Sequence, residues 1–254
     1  HYELNASKEG SFHGHYAFVN EDGRRDYHTN KTISGKKLIA FVGDSFTFGQ
    51  GVDQNDTLSY RFEDVYNLDA VKVLNFGVGG YNLEQEVELI KKRVLAYPIS
   101  EIFVVFYIND IEPSLMINTT NSEVLLPWYI HISNWFLHYS RFLNFAKFRL
   151  SNFFSGVKNK GYIDYYNVLY SDNSAAWVSF KQNLTSLSEI QKEKDVKIYF
   201  VVYPALTSLN DQHPYLSIYQ KVIEEAEKND LGTINLLEAF KGKDARDLRA
   251  NIYD

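Results

Sequence analysis

The sequence predicts an α/β protein built on a doubly wound parallel sheet. Five short apolar runs of β-type residues alternate with segments in which apolar residues recur every three or four positions. Strands that alternate with helices form parallel βαβ units, since two parallel strands need a crossover connection. The chain has 254 residues, of which 45% are hydrophobic and 23% charged, and this is enough for one large domain with a full core.

The predicted elements follow a polar, turn-rich stretch at residues 1–36. Continuous apolar runs predict five strands, at Lys37–Val42, Val71–Phe76, Glu101–Tyr107, Val196–Val202 and Gly232–Leu236. Apolar residues at helical spacing predict helices, at Leu83–Leu95, Trp177–Lys192, Tyr215–Lys228 and Leu236–Leu248.

Residues 112–176 break this alternation, because they are too many for a simple crossover. Their middle part, Trp128–Phe154, is rich in aromatic and aliphatic residues, which predicts one or two helices inserted between the third and fourth strands. Such helices fit a lid over a site, a membrane-facing surface or an extra layer packed on the core. We expect residues 1–254 to form a single domain with this insertion and with residues 1–36 as an N-terminal extension.

The composition argues against several kinds of site and partner and against a membrane span. The chain has no cysteine, which excludes disulfides, thiolate zinc sites and a cysteine nucleophile. The formal net charge of -6 argues against a nucleic-acid partner. No apolar run reaches the roughly 18 residues that a membrane span needs. The aromatic content of 16% fits a Tyr- and Phe-rich core as well as a groove for sugars or acyl chains.

Small and polar residues follow each of the first three predicted strands. These are Gly43-Asp44-Ser45 after the first strand, Asn75-Phe76-Gly77-Val78-Gly79-Gly80 at the end of the second, and Ile108-Asn109-Asp110 after the third. The carboxyl ends of parallel strands lie along one edge of a sheet, where open α/β sheets bind ligands. We therefore expect the three motifs to meet in space.

The residue types at this edge fit acyl transfer, which needs a nucleophile, a base and donors for the developing oxyanion. Ser45 Oγ is the candidate nucleophile. The candidate oxyanion donors are the backbone N–H groups of Ser45 and Gly80 and the side-chain amide of Asn109. A ligand can approach the backbone of a glycine closely, and an asparagine donates without competing for protons.

The three motifs resemble the conserved blocks of the SGNH hydrolase superfamily, the GDSL-type esterases and lipases with their related O-acetyltransferases. The resemblance implies a three-layer α/β/α sandwich of the flavodoxin-like type with a five-stranded parallel sheet. It also implies a serine esterase with Ser45 as nucleophile and Gly80 and Asn109 in the oxyanion hole. The family needs no cofactor, so we expect none, and we expect no metal.

The catalytic base is where the sequence departs from the family pattern. The family's fourth block is Asp-x-x-His, and Asp254 stands where its aspartate is expected. The matching histidine would follow three residues after Asp254, so we expect it beyond the given sequence. The alternatives are that His213 is the base, or that the site is not catalytic. Asp44 and Asp110 are interpreted as residues that support the turns, outside the triad.

The expected function is hydrolysis of a short-chain or carbohydrate-linked ester through an acyl-enzyme. Two alternatives stay open: acyl transfer to a polysaccharide, and a catalytically silent module that binds a glycan or peptide. The expected partner is thus a small-molecule or glycan ester. The resemblance to anchored or secreted bacterial proteins, the start at His1 and the lack of cysteine favour an extracytoplasmic, membrane-proximal location.

Overall fold

The computed structural model of the chain describes residues 4, 6–12, 14–28, 30–65, 70–113 and 155–248. The chain divides into two compact units, His1–Pro113 with Leu169–Asp254, and Ser114–Val168. The first unit contains a five-stranded parallel sheet, which confirms the predicted α/β fold class. That residues 1–254 form a single domain stays a prediction.

The N-terminal extension contains an antiparallel hairpin that the turn-rich sequence did not predict. Its strands are β1 Lys8–Phe12 and β2 His15–Val19, and the short helix α1 Asn30–Ile33 follows. In β2, Ala17 and Val19 are buried while Tyr16 is exposed, so this strand does alternate. β1 reads Lys-Glu-Gly-Ser-Phe and shows no alternation of apolar and polar residues. It is a strand because it pairs with β2.

The five strands of the sheet lie close to their predicted positions. They are β3 Lys37–Gly43, β4 Val71–Gly77, β5 Ile99–Phe106, β6 Lys197–Val202 and β7 Gly232–Asn235. Their order across the sheet is β4-β3-β5-β6-β7. β3 lies between β4 and β5, and its last residue, Gly43, pairs with Gly77 of β4 and with Val105 of β5.

The helices follow the strands in the alternation that the sequence predicted. They are α2 Ser45–Phe48, α3 Leu58–Val65, α4 Leu83–Lys92, α5 Ser155–Leu169, α6 Ala175–Lys194, α7 Leu216–Lys228, α8 Leu236–Phe240 and α9 Ala245–Leu248. The helix predicted at Leu236–Leu248 is split into α8 and α9 by a turn in which Gly242 has a φ of 77°. Glycine adopts this left-handed conformation without strain.

Aromatic side chains mark the two covered faces of the sheet. On one face, Phe62 of α3 packs against Phe41 of β3 with ring centroids 5.3 Å apart, and Phe103 lies 5.1 Å from Phe41. On the other face, Phe180 of α6 packs edge-on against Phe106 at 5.7 Å. The sheet is therefore the middle of three layers, and burial of these rings is a main stabilising contribution.

Much of the predicted insertion lies outside the described residues, including the helices predicted at Trp128–Phe154. Its described C-terminal part contains α5 and the beginning of α6. Among the helices that the structure describes, none combines the length and the apolar character that a membrane crossing requires.

Candidate active site

Ser45 is the first residue of a one-turn helix at the carboxyl end of β3. Asp44 caps this helix, α2, because its Oδ1 accepts a hydrogen bond from the Phe46 N–H at 2.9 Å. Gly49 ends the helix in the left-handed conformation, with a φ of 85°. The short helix thus holds Ser45 at the sheet edge where ligands bind in this fold class.

Two glycines allow α2 to lie directly against the sheet. A Cβ atom at Gly77 would lie 2.1 Å from the backbone nitrogen of Phe48 and 2.5 Å from the carbonyl carbon of Thr47. A Cβ atom at Gly43 would lie 2.1 Å from Thr47 Oγ1. All three distances are far shorter than a van der Waals contact, so only glycine fits at either position, and the two glycines set the position of Ser45.

Asn75, the first residue of the second motif, joins β4 to α2 through its side-chain amide. Its Nδ2 donates to the Thr47 carbonyl at 3.0 Å, and its Oδ1 accepts from the Gly77 N–H at 2.9 Å. Asn75 is fully buried, so both bonds are shielded from water. On the loop that follows, a Cβ atom at Gly79 would lie 3.8 Å from Ser45 Cβ, which places this loop beside the candidate nucleophile.

Gly80 is exposed on the same loop with a φ of 78°. Asn82 then begins α4 with a capping box: its Oδ1 accepts from the Gln85 N–H at 3.0 Å, and Gln85 Oε1 accepts from the Asn82 N–H at 3.2 Å. Asn82 Nδ2 also donates to the Glu112 carbonyl at 2.7 Å. The loop that carries Gly80 is therefore tied to the segment that follows the third motif.

Asn109 lies in a 3₁₀ turn directly after β5. Asp110 closes this turn, because its Oδ2 accepts from the Tyr107 N–H at 2.7 Å and its own N–H donates to the Tyr107 carbonyl at 3.0 Å. The Asn109 side chain lies close enough to the Asp44 carboxylate to lower its pKa. Ser45 Oγ lies 3.5 Å from Asp44 Oδ2, so Asp44 joins the candidate nucleophile to the candidate oxyanion donor.

Three carboxyl groups are buried beneath this site, on Asp44, Glu86 and Asp110. Burial raises the pKa of Asp44 to about 6, and the hydrogen bond from the Phe46 N–H and the nearby Asn109 side chain oppose this shift. Burial also raises the pKa of Glu86 and of Asp110 well above the usual range, and neighbouring carboxylates raise both further. In the described part of the chain, no three His, Cys, Asp or Glu side chains are arranged to hold a metal ion.

His213, the alternative base, is held by its own loop. It is only 4% exposed; its Nε2 lies 2.9 Å from the Ala205 carbonyl, and its Nδ1 accepts from the Tyr215 N–H at 3.1 Å. Burial lowers the pKa of His213, which favours the neutral ring. Both ring nitrogens are engaged by the backbone, so His213 is not arranged to take the proton of Ser45. Asp254 lies outside the described residues.

Half-buried aromatic rings lie beside Ser45 at the same edge of the sheet. The ring of Phe46 packs against Tyr107 at 4.1 Å and against Tyr203 at 5.1 Å, measured between centroids. Tyr203 in turn contacts Phe240 edge-on at 5.9 Å. The three residues Phe46, Tyr107 and Tyr203 therefore form an aromatic wall next to the candidate nucleophile.

Arg25, which sequence reasoning did not identify, fixes the chain around α2. It is 1% exposed, and its guanidinium donates to the carbonyls of Phe48, Gly49, Tyr16 and Val52. Two of these carbonyls lie at the C-terminal end of α2, where a cation is favourable. The buried cation thereby holds the N-terminal hairpin against the loop that follows Ser45.

Two other residues of the site were also missed, although the sequence carried a signal for each. Asn82 stands before an apolar helical pattern and three residues ahead of Gln85, as a capping residue does. Glu86 lies between Leu83 and Val87 on the apolar face of α4, where a charged side chain is unexpected. Nothing in the sequence around Arg25 indicated its contacts.

The chain matches solved structures, whereas no protein-family profile and no curated protein matches it. AlinE4, an SGNH-hydrolase family esterase, is 17% identical with a TM-score of 0.46, over 84% of this chain and 82% of that chain. The acetyl xylan esterase AlAXEase is 14% identical with a TM-score of 0.47, over 83% of each chain. A variant of Axe2, an acetyl xylan esterase from Geobacillus stearothermophilus, is 17% identical with a TM-score of 0.44, over 82% of this chain and 79% of that chain.

The matched structures include members of the family that the three sequence motifs resemble. At such low identities and TM-scores, this likeness does not carry an activity from those enzymes to the chain. The chemistry of the site has to follow from its own residues.

Proposed function

We propose that the chain is an ester hydrolase in which Ser45 is the nucleophile. The observation that carries the proposal is that the three segments following β3, β4 and β5 meet at a single sheet edge around Ser45. Asp44 Oδ2 lies 3.5 Å from Ser45 Oγ, the Asn109 side chain lowers the pKa of Asp44, and the Gly79 loop lies against Ser45. A nucleophile and its oxyanion donors need this kind of fixed arrangement.

The chemical roles follow from the donors available at this edge. Ser45 Oγ attacks the ester carbonyl carbon, and the backbone N–H groups of Ser45 and Gly80 stabilise the oxyanion that develops. Asn109 contributes a third donor through its side-chain amide nitrogen, which carries two hydrogens. The alcohol leaves, an acyl-enzyme remains on Ser45, and water releases the acid.

The base in this proposal is a histidine oriented by Asp254, as the Asp-x-x-His block of the family implies. Two of the three described histidines, His213 and His28, are engaged by other groups. His213 is engaged by the backbone at both ring nitrogens, and His28 Nε2 lies 2.9 Å from Glu63. Neither is arranged to serve Ser45.

The aromatic wall supports an ester with an apolar or ring-shaped group next to the scissile bond. Planar faces of Phe46, Tyr107 and Tyr203 can pack against an acyl chain or against the apolar face of a sugar ring. A carbohydrate-linked or short-chain ester is therefore the proposed substrate class. Hydrolysis is preferred to transfer because nothing in the described site selects a second acceptor over water.

Covalent labelling tests the nucleophile directly. A fluorophosphonate reacts with activated serines, so the full-length protein should gain the mass of one adduct, while S45A should gain none. S217A changes an exposed serine on α7 and is the matched control, which should label like the wild type. Equal labelling of S45A and wild type would contradict the proposal.

A further inference from the structure

Glu86 has no role in the chemistry described above, yet it is one of the most deeply buried side chains among the described residues. It is 0% exposed and lies on the apolar face of α4, between Leu83 and Val87. Neither of its carboxyl oxygens has a hydrogen-bond partner among the described residues. A buried carboxylate without a partner is among the most costly groups that a fold can contain.

The surroundings of Glu86 make a charged side chain still less favourable. The negative charge of Asp44 raises the pKa of Glu86. The charges of Glu86 and Asp44 in turn raise the pKa of Asp110. Glu112, beyond the third motif, adds to the negative potential at Asp110. The buried side chains of α6, the helix that packs against α4, include no ionisable group.

Two acceptors in this cluster lack a donor. Asp110 Oδ1 and Asn109 Oδ1 are both buried, and neither has a hydrogen-bond partner in the described part of the chain. A carboxylate offers only acceptors, whereas a protonated carboxyl group also offers an O–H donor. One proton on the cluster therefore removes a buried charge and satisfies an orphaned acceptor at the same time.

We propose that Glu86 is a positioning residue that acts as a neutral carboxylic acid, whose O–H donates to the Asp110 carboxylate and so fixes the turn that presents Asn109. Asp110 is the link, because it closes that turn through its two bonds to Tyr107. Its effect on Asn109 as an oxyanion donor rests on the proposed esterase function. The protonation of Glu86 does not depend on that function.

The direction of the pKa shifts agrees with this role. Burial first, and then the Asp44 charge, raise the pKa of Glu86 well above its usual range. Because the pKa of Glu86 is higher in the folded than in the unfolded state, the stabilising contribution of the protonated Glu86 is complete below the unfolded-state pKa. It is lost as the pH rises through the folded pKa. The cluster should thus loosen at alkaline pH.

The first test measures the proton itself and needs no catalysis. Infrared difference spectra at neutral pH between wild type and E86Q should show the loss of a protonated-carboxyl C=O band. E84Q changes an exposed acid on the same helix and should show no such loss. The stability of E86Q should also fall less steeply with rising pH than that of wild type, while E84Q should follow wild type.

The second test measures positioning. Glutamine keeps a neutral donor at position 86, so the Asn109 side-chain NH₂ signals of E86Q should stay near their wild-type NMR positions. In E86A they should shift or broaden. If the esterase proposal holds, kcat/KM of E86Q should stay within about threefold of wild type. E86A should lose up to ~100-fold, as a misplaced catalytic group does.

Each outcome decides the inference. An unchanged infrared spectrum in E86Q would overturn it, and so would Asn109 signals in E86Q that are as disturbed as those in E86A. If E86A does not fold, the comparison of E86Q with E84Q still decides the protonation of Glu86, and disturbed Asn109 signals in E86Q alone would overturn the positioning role. If no variant or wild type hydrolyses esters while the band and the Asn109 signals behave as expected, the esterase proposal fails and the neutral Glu86 stands.

Discussion

Replacing Gly77 by alanine should displace the candidate nucleophile, Ser45, while leaving the Ser45 side chain itself unaltered. The added Cβ would lie 2.1 Å from the Phe48 nitrogen, whereas ordinary contacts begin at 3.4 Å. The neighbours are backbone atoms of α2, so β4 and the Ser45 helix must separate by about 1 Å. Overpacking of this kind costs about 1–3 kcal/mol, and a displacement of about 1 Å at a catalytic group can cost ~100-fold in rate.

Urea unfolding and ester hydrolysis measured on the same samples test this reasoning. Gly79→Ala is the matched control, because its Cβ would lie 3.8 Å from Ser45 Cβ and its φ is not left-handed. G77A should lose both stability and kcat, while G79A should stay near wild type in stability. If G77A unfolds at the wild-type urea concentration and keeps its wild-type rate, the close approach of α2 to β4 does not position Ser45.

Two further predictions concern the groups around Ser45. Asn109→Ala should lower kcat by about 100–1,000-fold with a much smaller change in KM, because it removes one oxyanion donor; an effect confined to KM would contradict that role. The pKa of Asp44 is raised to about 6 from an ordinary value of 3.8. The stabilising contribution of the protonated Asp44 is therefore complete below ~pH 4 and is lost as the pH rises through about 6. The loss is about 3 kcal/mol, and D44N should flatten this part of the stability profile. Unfolding measured between pH 4 and pH 8 on both proteins would refute the prediction if the two profiles stayed parallel.

The sheet was predictable because its strands carry their own signal. From Leu38 to Val42, every residue is apolar and buried, as expected for a strand covered on both faces. The order of strands and helices then brought Ser45 and Asn109 to one sheet edge without any knowledge of their contacts. The hairpin was missed because the register of β1 depends on β2 and not on its own residues.

The supporting residues of the site depended on contacts that a single sequence does not contain. Arg25 binds carbonyls more than 20 residues away, and no local pattern distinguishes it from a surface arginine. Glu86 could be recognised as an acid on an apolar helix face, but its neighbours Asp44 and Asp110 lie in the segments that follow β3 and β5. The sequence therefore indicated which motifs meet at the sheet edge, but not the buried groups that hold them in place.

The most direct measurement is the hydrolysis rate of a short-chain activated ester by the full-length protein and by S45A. Circular dichroism and thermal unfolding should first establish that both proteins are folded. The account predicts turnover by wild type and the loss of nearly all of it in S45A, with S217A unchanged. Hydrolysis by folded S45A at the wild-type rate, or none by folded wild type, would contradict the claim that Ser45 is the nucleophile of an ester hydrolase.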